Sequence, residues 1–541
     1  MFIVQKINDR KQLTFEGMPT WKGSLSERKV KLLEKTWAGV FQKHILSNLP
    51  IEAIAGHFST IMGRPSKELY TVVGSVVLQQ FFDLTDKRTL EELAFNQQWH
   101  YALDNYDVDD QVISERTLWN VRNLLISDKA GRSIFNTAVD HLIEHYEVDI
   151  SHQRIDSVHV YSNMAKLGRV RVLSRVVTKF LRNLRRHQGK QYNTLDGRFN
   201  ERYLDTKGSG YFGEVKPSET PTRLQEIAND IYELLSLFSE KEAVVRLYSY
   251  GLMERVFREH CQVDSDKQVS VIANKDVSSD SLQNPSDVDA GYDSHKGQGY
   301  QVQVMETHPE KAKTKDDDPR LDLFTHVSVE PANEHDANAI KPALADVGER
   351  GKRPGELVAD TLYGSQDNVE LAQTDGTELI VPVYGSIKSS QDFQGFKFND
   401  KYDIISCPAG KAPHTVRTNI GKDSSKTAFW GKDVCDDCSL HSRCRVKRRG
   451  PINRLTYLEK VVKLWQRRQH VQTSEFKDKY AMRAGVEASI SRVIQQTGAR
   501  RLRYRGLNRM RFAETMRVLA INVFRTTSYV LRTAKIVPQV V

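Results

Sequence analysis

Apolar residues recur every three or four positions along the first 135 or so residues, the spacing of helices that bury one face. The pattern predicts helices over residues 25–49, Leu69–Phe82, Leu90–Trp99 and Ser114–Leu125. Ser24 and Ser114 stand at N-cap positions, where a hydroxyl accepts a backbone N–H. Residues 1–135 are therefore expected to form an all-α domain. Such a domain could bind DNA through a helix-turn-helix or serve only as a packing module.

Farther along, helical spacing gives way to short apolar or alternating runs, which are typical of strands. Strands are predicted over 154–160, 299–306, 323–329, 355–360 and 378–383, with helices over 334–347 and 365–372. The order of these elements is that of an α/β RNase H-like domain, expected over residues 145–383. Within it, residues 191–262 have mainly helical spacing, and 264–294 are expected to be a charged, serine-rich linker.

Two acids stand at unusual places in this domain. Asp156 interrupts an apolar strand, where a carboxylate costs several kcal/mol unless it is paired or binds a metal. Asp360 ends a buried strand just before a helix, a common place for ligands in open α/β sheets. The alternative for Asp360 is a helix cap, although Ser365 is better placed for that role.

A third acid, Glu487, follows Tyr480 by seven residues and Arg483 by four, so one helix would place all three on one face. The simplest interpretation is an ion pair between Arg483 and Glu487, worth a few tenths of a kcal/mol. The other is a metal ligand beside a phosphate track, because six arginines follow within Arg500–Arg511.

The charge of the chain is strongly segregated. The 541 residues carry a net charge of +10, and the sequence pI is about 9.1. Residues 441–541 hold 24 Lys and Arg against 5 Asp and Glu, which favours a surface that faces nucleic acid over a merely solvated basic face. The phosphate contacts expected are Arg501, Arg503 and Arg505 in this tail, and Arg169 at the start of a second basic stretch, 166–190.

The spacing Tyr480-x2-Arg483-x3-Glu487 resembles the signature helix of the DDE transposases of bacterial insertion sequences. The run from Asp156-Ser-Val-His-Val to Arg169 is similar to the first-aspartate motif of that family, and Ala359-Asp-Thr-Leu-Tyr-Gly-Ser365 to its second. Gly63-Arg-Pro, the Leu90-Glu-Glu-Leu run and the helix start at Ser114 resemble its N-terminal DNA-binding domain. The resemblance implies that Asp156, Asp360 and Glu487 bind Mg²⁺ or Mn²⁺ and that Tyr480 and Arg483 contact DNA. It also implies a helical insertion over 166–290 and a second insertion over 384–475, with the catalytic helix and basic tail at 476–541.

A protein of this family is expected to cleave and join DNA at the ends of an insertion sequence. Its partners would be double-stranded terminal inverted repeats and target DNA, and it would act as a homo-oligomer on DNA. Two other functions remain open, an RNase H-like nuclease without strand transfer and a catalytically inactive DNA-binding regulator. The presence of all three acids in their expected elements argues against an inactive site.

Four of the five cysteines, Cys407, Cys435, Cys438 and Cys444, lie within 38 residues. Their spacing is suited to a structural Zn²⁺ site, with an iron-sulfur cluster or four reduced cysteines as alternatives.

No signal peptide opens the chain, and no apolar run approaches the roughly 18 residues that a membrane span requires. The sequence therefore predicts a cytoplasmic protein without a membrane partner.

Overall fold

The computed structural model describes residues 25–57, 69–105, 113–205, 211–213, 215–308, 320–385, 392–419, 425–440, 444–449, 452–498 and 503–536. The chain before the sheet is helical, with α-helices at Glu27–Glu34, Trp37–Val40, Ile51–Ala55, Leu69–Phe81, Asp86–Phe95, Gln97–Ala102, Glu115–Ser127 and Ala130–His145. Ser114 caps the helix Glu115–Ser127 through the Thr117 N–H, as predicted. Ser24 and Gly63-Arg-Pro lie outside the described residues.

The single helix predicted over 25–49 is wrong. Thr36 interrupts it, because the Thr36 hydroxyl accepts the Ala38 N–H at 3.2 Å and so begins a second helix. A π-helical turn, Phe41–Ile45, and a 3-10 turn, Leu46–Asn48, follow. The helix predicted over Leu90–Trp99 is broken in the same way, since Asn96 caps a new helix by accepting the Gln98 N–H at 2.9 Å.

The central sheet is mixed, with strands β1 (His152–Tyr161), β4 (Gly291–Asp293), β5 (Gly297–Thr307), β6 (Phe324–Pro331), β7 (Glu356–Val358) and β8 (Glu378–Ile380). Its order is β6-β5-β1-β7-β8, and β4 pairs with the start of β5 on the same side as β6. The first three strands of that order are antiparallel, whereas β1, β7 and β8 run parallel. β8 lies at the edge of the sheet. The helices Ile340–Glu349 and Gln366–Thr374 connect β6 to β7 and β7 to β8.

Between β1 and β4 the chain forms a helical unit with its own core. Its helices are Arg169–His187, Gly189–Tyr192, Gly197–Tyr203, Thr220–Phe238, Glu242–Val245 and Tyr248–His260, followed by a hairpin of β2 (Cys261–Val263) and β3 (Val269–Val271). The linker predicted over 264–294 is wrong. Asn284 and Asp287 in that stretch are fully buried, and the Tyr300 hydroxyl donates to Asp287 at 2.6 Å. Polar side chains enter a core when they are hydrogen-bonded there, so composition alone did not reveal this packing.

After β8 the chain forms a second, smaller β unit. A pair of strands, β9 (Lys397–Phe398) and β10 (Ile404–Ser406), precedes a four-stranded sheet of β11 (Thr415–Asn419), β12 (Ser425–Trp430), β13 (Lys447–Arg449) and β14 (Ile452–Leu458). The short helix Lys432–Asp436 lies between β12 and β13. Phe393, Trp430 and Tyr457 belong to a core that is separate from the core of the central sheet.

The chain ends in the helices Glu459–His470, Ser474–Tyr480, Ala484–Thr497 and Leu507–Ile536, the last two here called the glutamate helix and the C-terminal helix. One hydrophobic core joins the C-terminal helix, the N-terminal helices and one face of β1, β5 and β6. Asn522 fixes this contact: its side chain accepts the Phe324 N–H at 2.8 Å and donates to the Phe324 carbonyl at 2.9 Å. In the part of the chain that the structure describes, no helix is both long and apolar enough to span a bilayer.

Candidate active site

Asp156 lies on β1, the strand between β5 and β7. Its side chain is only 13% exposed, and one oxygen accepts the Ser157 N–H at 2.8 Å. The prediction of an acid on a buried strand is confirmed. One backbone donor does not replace the hydration of a carboxylate, so positive charge has to come from elsewhere in the fold.

Asp360 reaches the same place through the parallel register of two strands. Arg154 of β1 pairs with Val358 of β7, and each acid lies two residues farther along its own segment. Asp156, in the middle of β1, and Asp360, two residues beyond the end of β7, therefore lie side by side. The Asp360 side chain is 28% exposed, which leaves it open to a ligand.

The capping interpretation of Asp360 is correct for one of its two oxygens. Asp360 Oδ1 accepts the Leu362 N–H at 2.6 Å and caps the 3-10 turn Thr361–Tyr363. Ser365 caps the next helix, Gln366–Thr374, as predicted. The turn fixes the orientation of the Asp360 carboxylate and leaves Oδ2 available.

The third acid comes from the C-terminal part of the chain, but not from the continuous helix that the spacing predicted. Tyr480 ends one helix, Ala481–Arg483 form a 3-10 turn, and Glu487 lies in the first turn of the glutamate helix. Glu487 is the most exposed of the three acids, with 67% of its side chain accessible.

Arg483 joins the three acids. Its Nη2 lies 3.4 Å from Asp156 Oδ2 and 3.8 Å from Asp360 Oδ2, and its Nη1 lies 3.2 Å from Glu487 Oε1. The predicted Arg483–Glu487 ion pair is thus present, and it is one of three contacts of the same guanidinium. Three carboxylates from separate segments share one cation, which leaves a formal excess of two negative charges.

The electrostatics of the site follow from this crowding. Burial raises the pKa of Asp156 to about 6; the Ser157 N–H and Arg483 oppose that rise, and the charges of Asp360 and Asp336 add to it. Burial also raises the pKa of Tyr480, and the charge of Arg483 works against that rise. The Tyr480 phenol therefore keeps its proton at neutral pH and can act as a donor.

A buried arginine holds the glutamate helix against β1, a role that the sequence did not indicate. Arg154, two residues before Asp156 and on the same strand face, donates to the Met482 carbonyl at 2.7 Å and to Glu306 Oε1 at 2.8 Å. A Cβ at Gly485 would overlap the Arg154 guanidinium. Glycine at 485 is therefore what lets the start of the glutamate helix approach the strand that carries Asp156.

A second buried network lies behind the two aspartates. Gln303 donates to Asp336 at 2.8 Å and accepts a hydrogen bond from the Tyr363 hydroxyl. Gln303 pairs with Ser157 in the β1–β5 register, and Tyr363 belongs to the turn that Asp360 caps. The network thus connects the segments that carry Asp156 and Asp360. The alternation of glutamines with apolar residues in β5 was a signal for inward-facing polar groups.

The arginines predicted to bind DNA fall into different environments. Arg503 and Arg505 are exposed; Arg503 lies 3.7 Å from Asp83, and Arg505 donates to Asn163 at 3.1 Å. Arg169 is held within the helical unit, where it donates to the His260 ring and carbonyl and to Asn274. Arg501 lies outside the described residues.

The four clustered cysteines line one apolar cavity together with Trp430. Cys407 comes from the turn after β10 and Cys435 from the helix Lys432–Asp436, while Cys438 and Cys444 follow that helix. Burial and the three neighbouring thiols raise the pKa of Cys435 to about 11. In the described geometry no three of the four sulfurs lie within 4.8 Å of one another, whereas sulfurs on one tetrahedral Zn²⁺ stand about 3.8 Å apart.

Comparison with known protein families gives two matches. Residues 37–124 match the family described as Transposase domain (DUF772), and residues 406–527 match the family described as Transposase DDE domain. The first range covers most of the N-terminal helices, and the second covers the four clustered cysteines and Glu487. Asp156 and Asp360 lie outside both ranges. No curated protein matches the chain.

Proposed function

We propose that this chain is a DDE transposase of an insertion sequence, which cleaves DNA at the ends of its element and joins those ends to target DNA. One observation carries the proposal: Asp156, Asp360 and Glu487, which lie far apart in the sequence, meet at the guanidinium of Arg483. The strand order β6-β5-β1-β7-β8 supports an RNase H-like catalytic domain, because it is three antiparallel strands followed by two parallel ones.

The site fits divalent cations. Its donors are carboxylate oxygens, the hard ligands that Mg²⁺ and Mn²⁺ take, and its two excess negative charges require compensation. Asp156, Asp360 and Glu487 would hold the metals. Cations bound there would activate a water or a 3′-hydroxyl and stabilise the leaving oxygen of the phosphodiester.

Arg483 has a double role in this proposal. Between the acids it supplies the positive charge that keeps three carboxylates close together. Its Nε is buried without a hydrogen-bond partner among the described residues, so the observed pose leaves one donor unused. A guanidinium suits bidentate contact with phosphate, and we assign Arg483 and the protonated Tyr480 to the scissile strand.

The remaining parts of the chain are assigned to DNA and to support of the site. Residues 1–135 would bind element ends, 145–383 would form the catalytic core with a helical insertion over 166–290, and 476–541 would supply Glu487 and the basic tail. Arg503 and Arg505 are the exposed cations that we assign to phosphates, with Arg501 beside them in sequence. Pairing of two element ends calls for a homo-oligomer on DNA.

The unit over 384–475 is assigned a structural metal. Cys407, Cys435, Cys438 and Cys444 share one cavity, and a movement that brings their sulfurs together would place four thiolates on one Zn²⁺. An iron-sulfur cluster would use the same four sulfurs. A bound cation would reverse the raised pKa of Cys435, because coordination deprotonates a thiol.

Single-turnover cleavage of end DNA in Mg²⁺ tests the proposed function. Asp156→Ala, Asp360→Ala and Glu487→Gln should each abolish cleavage and leave DNA binding within a few-fold of wild type. Asp367→Ala is the matched control, since this acid lies on the neighbouring helix with 81% of its side chain exposed. Near-normal cleavage by any of the three variants would remove that residue from the site. Cleavage without joining would identify a nuclease, and binding without cleavage a regulator.

A further inference from the structure

Three histidines meet far along the chain from the acids and cysteines discussed above. His44 lies in the π-helical turn Phe41–Ile45, and His141 and His145 lie on the helix Ala130–His145, here called the histidine helix. Among the described residues, these three form the only group of His, Cys, Asp or Glu whose ligand atoms all lie within 4.8 Å of one another. The spacing of four residues between His141 and His145 places both imidazoles on one helix face.

The geometry is close to that of a metal site. His44 Nδ1 and His141 Nε2 are 3.1 Å apart, and two nitrogens bound to one tetrahedral Zn²⁺ at about 2.0–2.1 Å stand about 3.3 Å apart. His145 is exposed, and its ring centre lies 4.6 Å from that of His44. A change of its rotamer can therefore bring a third nitrogen to the same point, and the exposed side gives an ion a path of entry.

The surroundings of the cluster support ligation. The second ring nitrogen of His44 lies 3.1 Å from the Tyr146 hydroxyl, the kind of outer contact that fixes the orientation of a metal-bound imidazole.

We infer that His44, His141 and His145 form a binding site for a first-row transition metal, with Zn²⁺ as the first choice. Imidazole nitrogens suit Zn²⁺, whereas Mg²⁺ prefers hard oxygens, so this site would not compete for the metal of the three acids. Its role would be structural. An ion here would connect the π-helical turn to the histidine helix, which leads into β1, and Tyr146 of the same cluster packs edge-on against Tyr529 of the C-terminal helix at 5.6 Å.

Zinc stoichiometry of the full-length protein tests the inference, measured by equilibrium dialysis and elemental analysis under reducing conditions. The variant His141→Ala/His145→Ala should bind about one equivalent less Zn²⁺ than wild type. The control His295→Ala removes an exposed histidine in the turn between β4 and β5 and should bind as much as wild type. Because the cysteines and the three acids are unchanged in both variants, the difference between them isolates the histidine site.

Thermal unfolding supplies a second readout. Micromolar Zn²⁺ should raise the Tm of wild type and of His295→Ala by more than it raises the Tm of the single variant His145→Ala. That variant changes an exposed side chain and should retain its metal-free Tm. Equal zinc content in wild type and in His141→Ala/His145→Ala would overturn the inference. A zinc-dependent rise in Tm that is as large in His145→Ala as in wild type would also overturn it.

Discussion

Asp156 is the acid on which the pH behaviour of the site should depend, because it is the most buried of the three and the carboxylates of Asp360 and Asp336 add to the rise in its pKa. Its pKa in the folded protein is raised by burial from 3.8 to about 6. This group therefore stabilises the folded state at low pH, and that contribution is lost as pH rises through about 6. In the metal-free protein, a proton on Asp156 stabilises the folded state below about pH 6. A divalent cation must displace that proton in order to bind.

Apparent Mg²⁺ affinity should accordingly increase with pH up to about 6 and change little above it. Below pH 6 we expect about a tenfold loss of affinity per pH unit, since one proton competes with the metal. The measurement is the Mg²⁺ concentration dependence of single-turnover cleavage between pH 5 and 8, with Mn²⁺ binding to the folded protein as a second readout. A metal affinity that stays constant from pH 5 to pH 7 would refute this assignment.

Two elements meet where the site is assembled, β1 and the glutamate helix, and their contact depends on a glycine. Arg154 fills the space beside Gly485 and donates to the Met482 carbonyl. Arg154 is itself held by Glu306, which also pairs with Arg525 of the C-terminal helix at 2.8 Å. The position of Arg483 and Glu487 is thus set by a buried chain of charges.

Gly485→Ala should slow cleavage by about tenfold or more while the protein stays folded, because displacement of a catalytic group by about 1 Å can cost 10²-fold. Gly251→Ala is the control: it too lies within a helix, and a Cβ there meets nothing within 4 Å. That substitution should leave cleavage unchanged and stabilise the protein slightly, by about 0.4–1 kcal/mol. Equal cleavage by the two variants would show that the Arg154 contact does not position the glutamate helix.

A further prediction concerns the second, smaller β unit, which carries the four clustered cysteines. Purified protein should contain about one equivalent of zinc or iron at the four clustered cysteines, and Cys438→Ser should lose it and lower the Tm. Cys261→Ser is the control, because Cys261 lies in the helical unit, outside that cluster. Metal content unchanged in Cys438→Ser would exclude the site, and a brown colour of the wild-type protein would favour iron-sulfur over zinc.

In the whole molecule, some arginines of the basic tail are buried in ion pairs and others are exposed to solvent. Arg517 is fully buried and pairs with Asp83 and Glu514, and Arg525 pairs with Glu306. Those cations hold the C-terminal helix and are not available to phosphate. Arg503 remains 47% exposed, and Arg505 is exposed beside it.

DNA binding should still be steeply salt-dependent, with a slope of log K against log salt steeper than about −3. Arg503→Ala/Arg505→Ala should reduce that slope by about 2, since each lost phosphate contact removes about 0.9. Arg246→Ala is the control, an arginine with 77% of its side chain exposed in the helical unit. A slope unchanged in the double variant would remove these two arginines from the DNA surface.

The sequence by itself determined the features that depend on near neighbours. Ser114 and Ser365 cap their helices, and Asp156 and Asp360 lie on or beside buried strands, because caps and strand periodicity involve residues within a turn of one another. The same local reasoning failed at Thr36 and Asn96, whose side chains start new helices inside apolar patterns that look continuous.

Only the tertiary structure decided which side chains meet. The register of β1 with β7 brings Asp156 level with Asp360, and the packing of Arg154 against Gly485 brings Arg483 to both of them. The burial of Asp287 and the pairing of Arg517 were decided in the same way. Charge and polarity in a sequence do not specify a partner, since that partner is set by contacts between segments hundreds of residues apart.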